Sequence, residues 1–277
     1  MNPRQLIRET AALFRAAGIP DPEVDSAELL AFLTGKQPLM LRLDMDTQLT
    51  DEVLSAYAHL RDQRLQRVPL QYLTPEQSFL GRSFYVDERV LIPRPETELL
   101  AEMVIEALRP LPHPAALDLC CGSGCIGISA ALDAPHADVH AADLSPDALA
   151  VTRRNADALG ARLTLHQGDL FAAVGDRKFD LIVSNPPYIP AQECLQLQEE
   201  VMQEPAMALD GGADGYDFYR RIASEAPAHL NAGGMVFLEV GWDQGENVRQ
   251  LMENAGFRHT KVHPDLQGIP RMVEAHL

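Results

Sequence analysis

Phe179-Asp180-Leu181-Ile182-Val183-Ser184-Asn185-Pro186-Pro187-Tyr188 joins an apolar run to a tetrapeptide that cannot continue it. The run has the length and composition of a buried parallel strand. Two consecutive prolines have no N–H to donate to a ladder, so the strand must end there, leaving Asn185 and Tyr188 on a stiff loop at its carboxyl end. In open α/β sheets that edge is where ligands bind. The loop's groups suit one task, the holding of a planar NH2. The Asn185 side-chain carbonyl and the Pro186 main-chain carbonyl can each accept one N–H bond, while the Tyr188 ring covers the planar face. A carboxamide or an exocyclic base amine fits.

Around this stretch strands and helices alternate. Strands are predicted over Ala115 to Leu119, Ala137 to Ala142 and Leu163 to His166, with helices over about Gly124 to Leu132 and from Ser145. Beyond it come a helix over Asp214 to Leu230, a Gly233-Gly234 turn, a strand over Met235 to Val240 and a helix over Gln244 to Ala255. Such alternation predicts a mainly parallel sheet covered on both faces. The tail, Arg258 to His263 and Arg271 to His276 joined through Gly268-Ile269-Pro270, predicts an antiparallel pair at the sheet edge.

Asp118-Leu119-Cys120-Cys121-Gly122-Ser123-Gly124-Cys125-Ile126-Gly127 follows the first of these strands and opens a helix. Glycines there allow a tight turn and close approach of the backbone to a ligand, and the helix start offers free N–H groups. Gly122-x-Gly124-x-x-Gly127 also matches the dinucleotide fingerprint. The second strand leads into Asp143, where a carboxylate can accept from both hydroxyls of a ribose. NAD and S-adenosylmethionine share that ribose, and a cap for the helix near Pro146 is the bland alternative. After the third strand, Asp169 is placed to accept from an adenine amine and Leu170 to lie against the ring, a solvated turn being the alternative. The cysteines have no His or carboxylate cluster at ligand spacing beside them, so they read as small loop residues and no metal is expected.

Residues 1 to about 74 are predicted to be helical, with Leu6, Leu13, Phe14 and Ala17 on one face of the first helix. Asp21-Pro22 opens a second helix that Gly35 stops, and Thr50 opens a third carrying Val53, Tyr57 and Leu60. This bundle is either a structural cap or a docking surface for a macromolecular substrate. Residues 75 to 93 read as a short hairpin across Gly81-Arg82 and serve as the link to a larger domain over 94 to 277. Leu91-Ile92-Pro93-Arg94-Pro95-Glu96-Thr97-Glu98 places a proline and two carboxylates where a helix start favours them, so helix capping explains it. With 23 Lys and Arg against 40 Asp and Glu, the net charge of −17 argues against free nucleic acid as a partner. No apolar run has the length of a signal peptide core or a membrane span, and three cysteines within six positions suit a reducing cytoplasm.

The glycine loop, the acidic strand end and Asn185-Pro186-Pro187-Tyr188 together resemble the S-adenosylmethionine-dependent methyltransferases that modify planar amino groups. Leu91 to Glu98, Glu204-Pro205-x-x-Ala208-Leu209-Asp210-Gly211-Gly212-x-Asp214-Gly215 and Leu238-Glu239-Val240-Gly241 narrow the resemblance to the peptide chain release factor glutamine N5-methyltransferases, over nearly the whole chain. The resemblance implies a Rossmann-like class I methyltransferase sheet, mainly parallel with an antiparallel C-terminal edge, plus a small all-α N-terminal domain that helps engage the factor. It implies S-adenosyl-L-methionine held by Cys120, Cys121, Gly122, Ser123, Gly124, Asp143 and Leu170, with Asp169 and Asn185 beside it. Asn185, Pro186, Pro187 and Tyr188 then bind the glutamine of a Gly-Gly-Gln motif, and Asn185, Pro186 and Tyr188 serve catalysis. Family members commonly have glycine at Cys120 and often an aromatic at Leu170; a small thiol fits at Cys120 if its backbone angle is ordinary. Three other activities compete. A sister enzyme methylating a ribosomal protein shares the cysteine-rich loop, an adenine methyltransferase needs a basic groove, and a dehydrogenase gives Asn-Pro-Pro-Tyr no purpose. A non-catalytic binding module would have no use for Asp143 and Asn185.

Overall fold

The computed structural model describes residues 1–277, which divide into a unit of Gln77–Leu197 with Glu204–Leu277 and a unit of Met1–Glu76 with Gln198–Gln203. The larger unit opens with an antiparallel hairpin, β1 (Gln77–Phe79) and β2 (Arg82–Phe84). Its seven-stranded sheet comprises β3 (Ala115–Leu119), β4 (Asp138–Asp143), β5 (Thr164–Gln167), β6 (Phe179–Ser184), β7 (Leu230–Glu239), β8 (His259–Pro264) and β9 (Pro270–His276). The order is β5-β4-β3-β6-β7-β9-β8, parallel from β5 to β7 and antiparallel at β9 and β8.

After β3 the chain winds outwards through β4 and β5, then crosses back to place β6 on the other side of β3. The reversal opens a crevice at the carboxyl ends of β3 and β6, which is where the glycine loop and the Asn-Pro-Pro-Tyr loop emerge. Side chains on a strand alternate between faces, so Ile182 joins one buried cluster and Leu181 and Val183 the other. Helices α6 (Pro95–Leu108), α7 (Cys125–Asp133) and α8 (Pro146–Leu159) cover the second face through Leu100, Ile126 and Ala156. The first is covered by α9 (Asp217–Glu225) and α10 (Gly245–Asn254), through Tyr219, Ile222 and Val248.

Two local expectations are corrected here. Helix α9 is shorter than Asp214 to Leu230, because Pro227 forces a 3-10 turn over Ala226–His229. Gly233-Gly234 is not a turn ahead of a strand: β7 already begins at Leu230, and Gly233 at φ 77° lies where its pairing with β6 slips register.

The smaller unit contains α1 (Pro3–Ala16), α2 (Pro22–Thr34), α3 (Pro38–Leu43), α4 (Asp51–Leu65) and α5 (Leu70–Leu73). Gly35 stops α2 in the left-handed conformation and Thr50 Oγ1 caps α4 by accepting from Val53 N–H, whereas Asp21 makes no side-chain cap. The buried face of α1 is Leu6, Ile7, Thr10, Ala11 and Phe14; Leu13 and Ala17 are exposed, one position off the expected stripe. A buried ion pair stiffens this unit, with Arg64 Nε 2.8 Å from Asp25 Oδ2 and Nη1 2.9 Å from Glu200 Oε1. Desolvation raises the Asp25 pKa while Arg64 opposes that rise.

Candidate active site

The glycine loop is closed by main-chain bonds and braced by side chains. Cys121 N–H donates to Ala142 O at 3.1 Å and Gly124 N–H to Cys121 O at 2.7 Å, closing the turn onto β4. Side chains of α8 hold its other side: Thr152 Oγ1 donates to Gly122 O at 2.8 Å and Asn155 Nδ2 to Ser123 O at 2.9 Å. At Gly124, φ is 81° and a Cβ would lie 2.6 Å from the Thr152 methyl, so only glycine fits. Cys120 has φ 59° and Leu170 φ 47°. Both residues therefore occupy left-handed backbone, and the condition set for a thiol at Cys120, an ordinary backbone angle, is not met. Burial pushes the Cys120 thiol up to about 12, with Asp143 adding to the effect, so it stays protonated at neutral pH.

Asp143 ends β4 with one oxygen 2.9 Å from Gly122 N and the other 2.9 Å from Ser145 N. Ser145, not Asp143, caps α8, through its hydroxyl to Ala148 N–H at 3.1 Å. Asp143 is half-buried, and desolvation raises its pKa against the pull of those N–H donors. A carboxylate oxygen has two acceptor sites, so each retains one for a ligand hydroxyl. The exposed Asp169 is engaged by Arg221, its Oδ1 2.9 Å from Nη1. Leu170 is buried and presents an apolar wall.

Beyond β6, Pro186 and Pro187 are buried and Tyr188 is half-buried against the core. Burial pushes the Tyr188 phenol up to about 12, which keeps it neutral. The segment from Glu204 to Gly215 clamps this loop. Ile189 N–H donates to Leu209 O at 3.0 Å, Gly211 N–H to Ile189 O at 2.9 Å and Ala191 N–H to Gly212 O at 2.9 Å. A Cβ on Gly211 would lie 2.7 Å from Tyr188 Cα, and one on Gly215 2.4 Å from Tyr188 O. Gln244 Nε2 donates to that same carbonyl at 3.0 Å. Glu204 accepts from Ile92 N–H at 3.0 Å and from Arg94 at 2.5 Å, tying the clamp to the segment before α6.

These pieces enclose a cavity of about 690 Å³, within the range of small-molecule sites. Cys120, Gly122, Asp143, Asp169, Leu170, Asn185 and Pro187 line it. Cys121, Ser123, Gly124, Pro186 and Tyr188 are the neighbours of these residues in the same two loops. A nucleoside cofactor fits the donor set, because the main-chain cradle admits close approach, Asp143 retains acceptor sites and Leu170 offers an apolar face.

Two buried groups at this end of the sheet were absent from the expected set. Thr97, in the first turn of α6, donates from Oγ1 to Glu239 Oε2 at 2.6 Å, and Asn185 Nδ2 lies 3.3 Å from the same Oγ1. Helix capping therefore does not exhaust the role of residues 91 to 98. Glu239 ends β7 at 2% exposure, and burial pushes it up to about 7 although Thr97, Arg271 and Asn185 pull it down. A carboxylate inside Val236-Phe237-Leu238-Glu239-Val240 was the signal in the sequence.

Residues 96–215 match the methyltransferase small domain family and residues 5–74 the PrmC N-terminal domain family. A crystal structure of a methyltransferase from Pyrococcus furiosus superposes with TM-score 0.54 at 18% identity, covering 72% of this chain and 90% of that one, a likeness of fold. Sheet, glycine loop and acidic strand end thus define a class I methyltransferase, with S-adenosylmethionine as methyl donor. The release factor glutamine methyltransferase of Geobacter sulfurreducens is 43% identical over 272 residues, 98% of this chain and 95% of that protein. That of Cereibacter sphaeroides is 43% identical over 280 residues, 100% and 99% of the two chains. The chain belongs to the release factor glutamine methyltransferase family.

Proposed function

We propose that this site methylates the side-chain amide nitrogen of the glutamine in the Gly-Gly-Gln motif of peptide chain release factors, in the cytoplasm. The observation that carries the reading is the placement of Asn185 on a rigid, clamped loop at the wall of the cavity that Asp143 and the glycine loop also line. S-adenosylmethionine supplies an electrophilic methyl group on a sulfonium sulfur. Asp143 would hold the ribose hydroxyls, Leu170 would flank the adenine, and the loop from Cys120 to Gly124 would follow the cofactor backbone. Asp169 would reach the adenine amine only by sharing its carboxylate with Arg221.

An amide nitrogen is a weak nucleophile because its lone pair is delocalised into the carbonyl. Asn185 Oδ1 and the Pro186 carbonyl would accept its two N–H groups, fixing the nitrogen and raising its electron density, with Tyr188 supporting the loop. Positioning can contribute up to roughly 7–11 kcal/mol to the barrier, against about 0.5–1.5 kcal/mol net for one ordinary hydrogen bond. The charge of −17 favours a protein substrate over a phosphate backbone.

The test is methyl transfer from labelled S-adenosylmethionine to a purified release factor, beside the same factor with its motif glutamine changed to alanine. Ribosomal protein and DNA serve as parallel substrates. Label on the unaltered factor alone supports the reading. Label only on ribosomal protein or DNA overturns the substrate and leaves the reaction class.

A further inference from the structure

The buried side chains behind Asn185 form a chain of hydrogen bonds with a definite direction. Thr97 Oγ1 and Glu239 Oε2 are 2.6 Å apart, and both residues are almost completely buried, at 3% and 2% exposure. In its ionised form, above the value of about 7 to which burial pushes it, Glu239 can only accept, and a threonine hydroxyl has one proton. Thr97 therefore gives that proton to Glu239, and the face of Oγ1 turned towards Asn185, 3.3 Å away, can only accept. The opposed group of Asn185 must be its NH2, and Glu239 is a second acceptor for the same side chain. The remaining end of the Asn185 amide is its carbonyl oxygen. With the amide reversed, its carbonyl oxygen would face the accepting side of Thr97 Oγ1, and its NH2 would lose both acceptors.

We propose that Thr97 and Glu239 are positioning residues that fix the Asn185 amide with Oδ1 as its outward end, so that Asn185 presents an acceptor to a donor-only substrate NH2. The proposal rests on the reading that a substrate amide is held at Asn185. A flipped Asn185 would set NH2 against NH2 and repel the group it must hold. The anchored direction has a second effect: an amide whose N–H groups donate to a charged chain carries more electron density on its oxygen and accepts more strongly. Glu239 is itself held in place at the end of β7, where its main-chain carbonyl accepts from the Tyr219 hydroxyl at 2.9 Å.

Thr97→Val is the test, because it keeps the side-chain shape and removes only the hydroxyl, and Thr97→Ser is its rescue. The rates are measured on a purified release factor at saturating cofactor, with cofactor affinity by calorimetry and the melting temperature alongside. Thr97→Val is expected to lose about tenfold or more in kcat, with cofactor affinity close to that of the unaltered enzyme and a melting temperature only modestly lower, from the donor that Glu239 loses. Thr97→Ser is expected to recover most of the rate. Turnover by Thr97→Val equal to that of the unaltered enzyme overturns the proposal. So does a loss that follows cofactor affinity or melting temperature, or one that serine fails to rescue, since either assigns Thr97 to the fold. An unaltered enzyme that transfers no methyl to the motif glutamine removes the substrate reading instead, an outcome seen before any variant is made.

Discussion

Cys120 and Leu170 carry side chains where the backbone runs left-handed, at φ 59° and 47°. That conformation costs a residue with a Cβ roughly 1–2 kcal/mol, while glycine costs about 0.5–1 kcal/mol in lost chain entropy. The two nearly offset, so Cys120→Gly is expected to change stability by less than about 1 kcal/mol. Cys120→Val puts a β-branched side chain at the same angle and should lower stability by clearly more, as denaturant melts of the two variants will show. Asp143 presents a different residue-level case, since its carboxylate both braces Gly122 and Ser145 and faces the cavity. Asp143→Ala is expected to weaken cofactor affinity by about 10- to 100-fold in calorimetry; unchanged affinity would confine Asp143 to bracing the loop. The places of Asp143 and Asn185 at the cavity wall were open to inspection in the sequence because strand ends and proline pairs mark positions. The angle at Cys120 was hidden, since φ is set by the turn onto β4 and residue type only biases it.

At the level of elements, β3 and β6 were readable residue by residue, because short apolar runs there are closed by Cys-Cys-Gly and by Asn-Pro-Pro. Helix α3 was missed: it has six residues and only Leu41 is buried, with Leu39, Met40 and Leu43 exposed, so no periodic stripe announces it. Pairings between distant segments were equally hidden. Glu204 meets Arg94, and Glu239 meets Thr97, across more than a hundred residues. The family resemblance marked these segments without saying what they touch. Their geometry gives the clamp from Glu204 to Gly215 a specific duty, to hold the Asn-Pro-Pro-Tyr loop by close backbone contact. Gly211→Ala places a Cβ against Tyr188 Cα and the Pro187 carbonyl. It is expected to cost about 1–3 kcal/mol and to reduce methyl transfer more than cofactor binding, measured by thermal melts, initial rates and calorimetry.

For the whole molecule, titration of buried acids links fold to pH. Burial pushes Asp118 and Glu239 each up to about 7. Asp118 is faced by Gly127 N–H and by Asp143; Glu239 is faced by Thr97, Asn185, Arg271 and Glu96, with Cys125, Tyr188 and Tyr219 nearby. In the unfolded chain such carboxyls titrate at about 4. Between those values the folded state holds more protons, so the stability these two groups give is complete below about pH 4 and is lost as pH rises through about 7. Asp87, Glu200 and Glu274, all lowered by their partners, act oppositely and lose their contribution as pH falls through their lowered values. The melting temperature is therefore expected to fall between about pH 5 and pH 8, and to fall less steeply in an Asp118→Asn, Glu239→Gln double variant. Equal slopes would mean that neither acid is shifted. No helix is long and apolar enough to cross a membrane.

The amide-holding loop is the centre of the proposed reaction, and Asn185→Ala tests it most directly. The measurement is the single-turnover rate of methyl transfer to a release factor at saturating cofactor, with cofactor affinity taken on the same preparation. A fall of roughly 100-fold or more with affinity retained is the predicted result. An unchanged rate would contradict it and remove Asn185 from the mechanism.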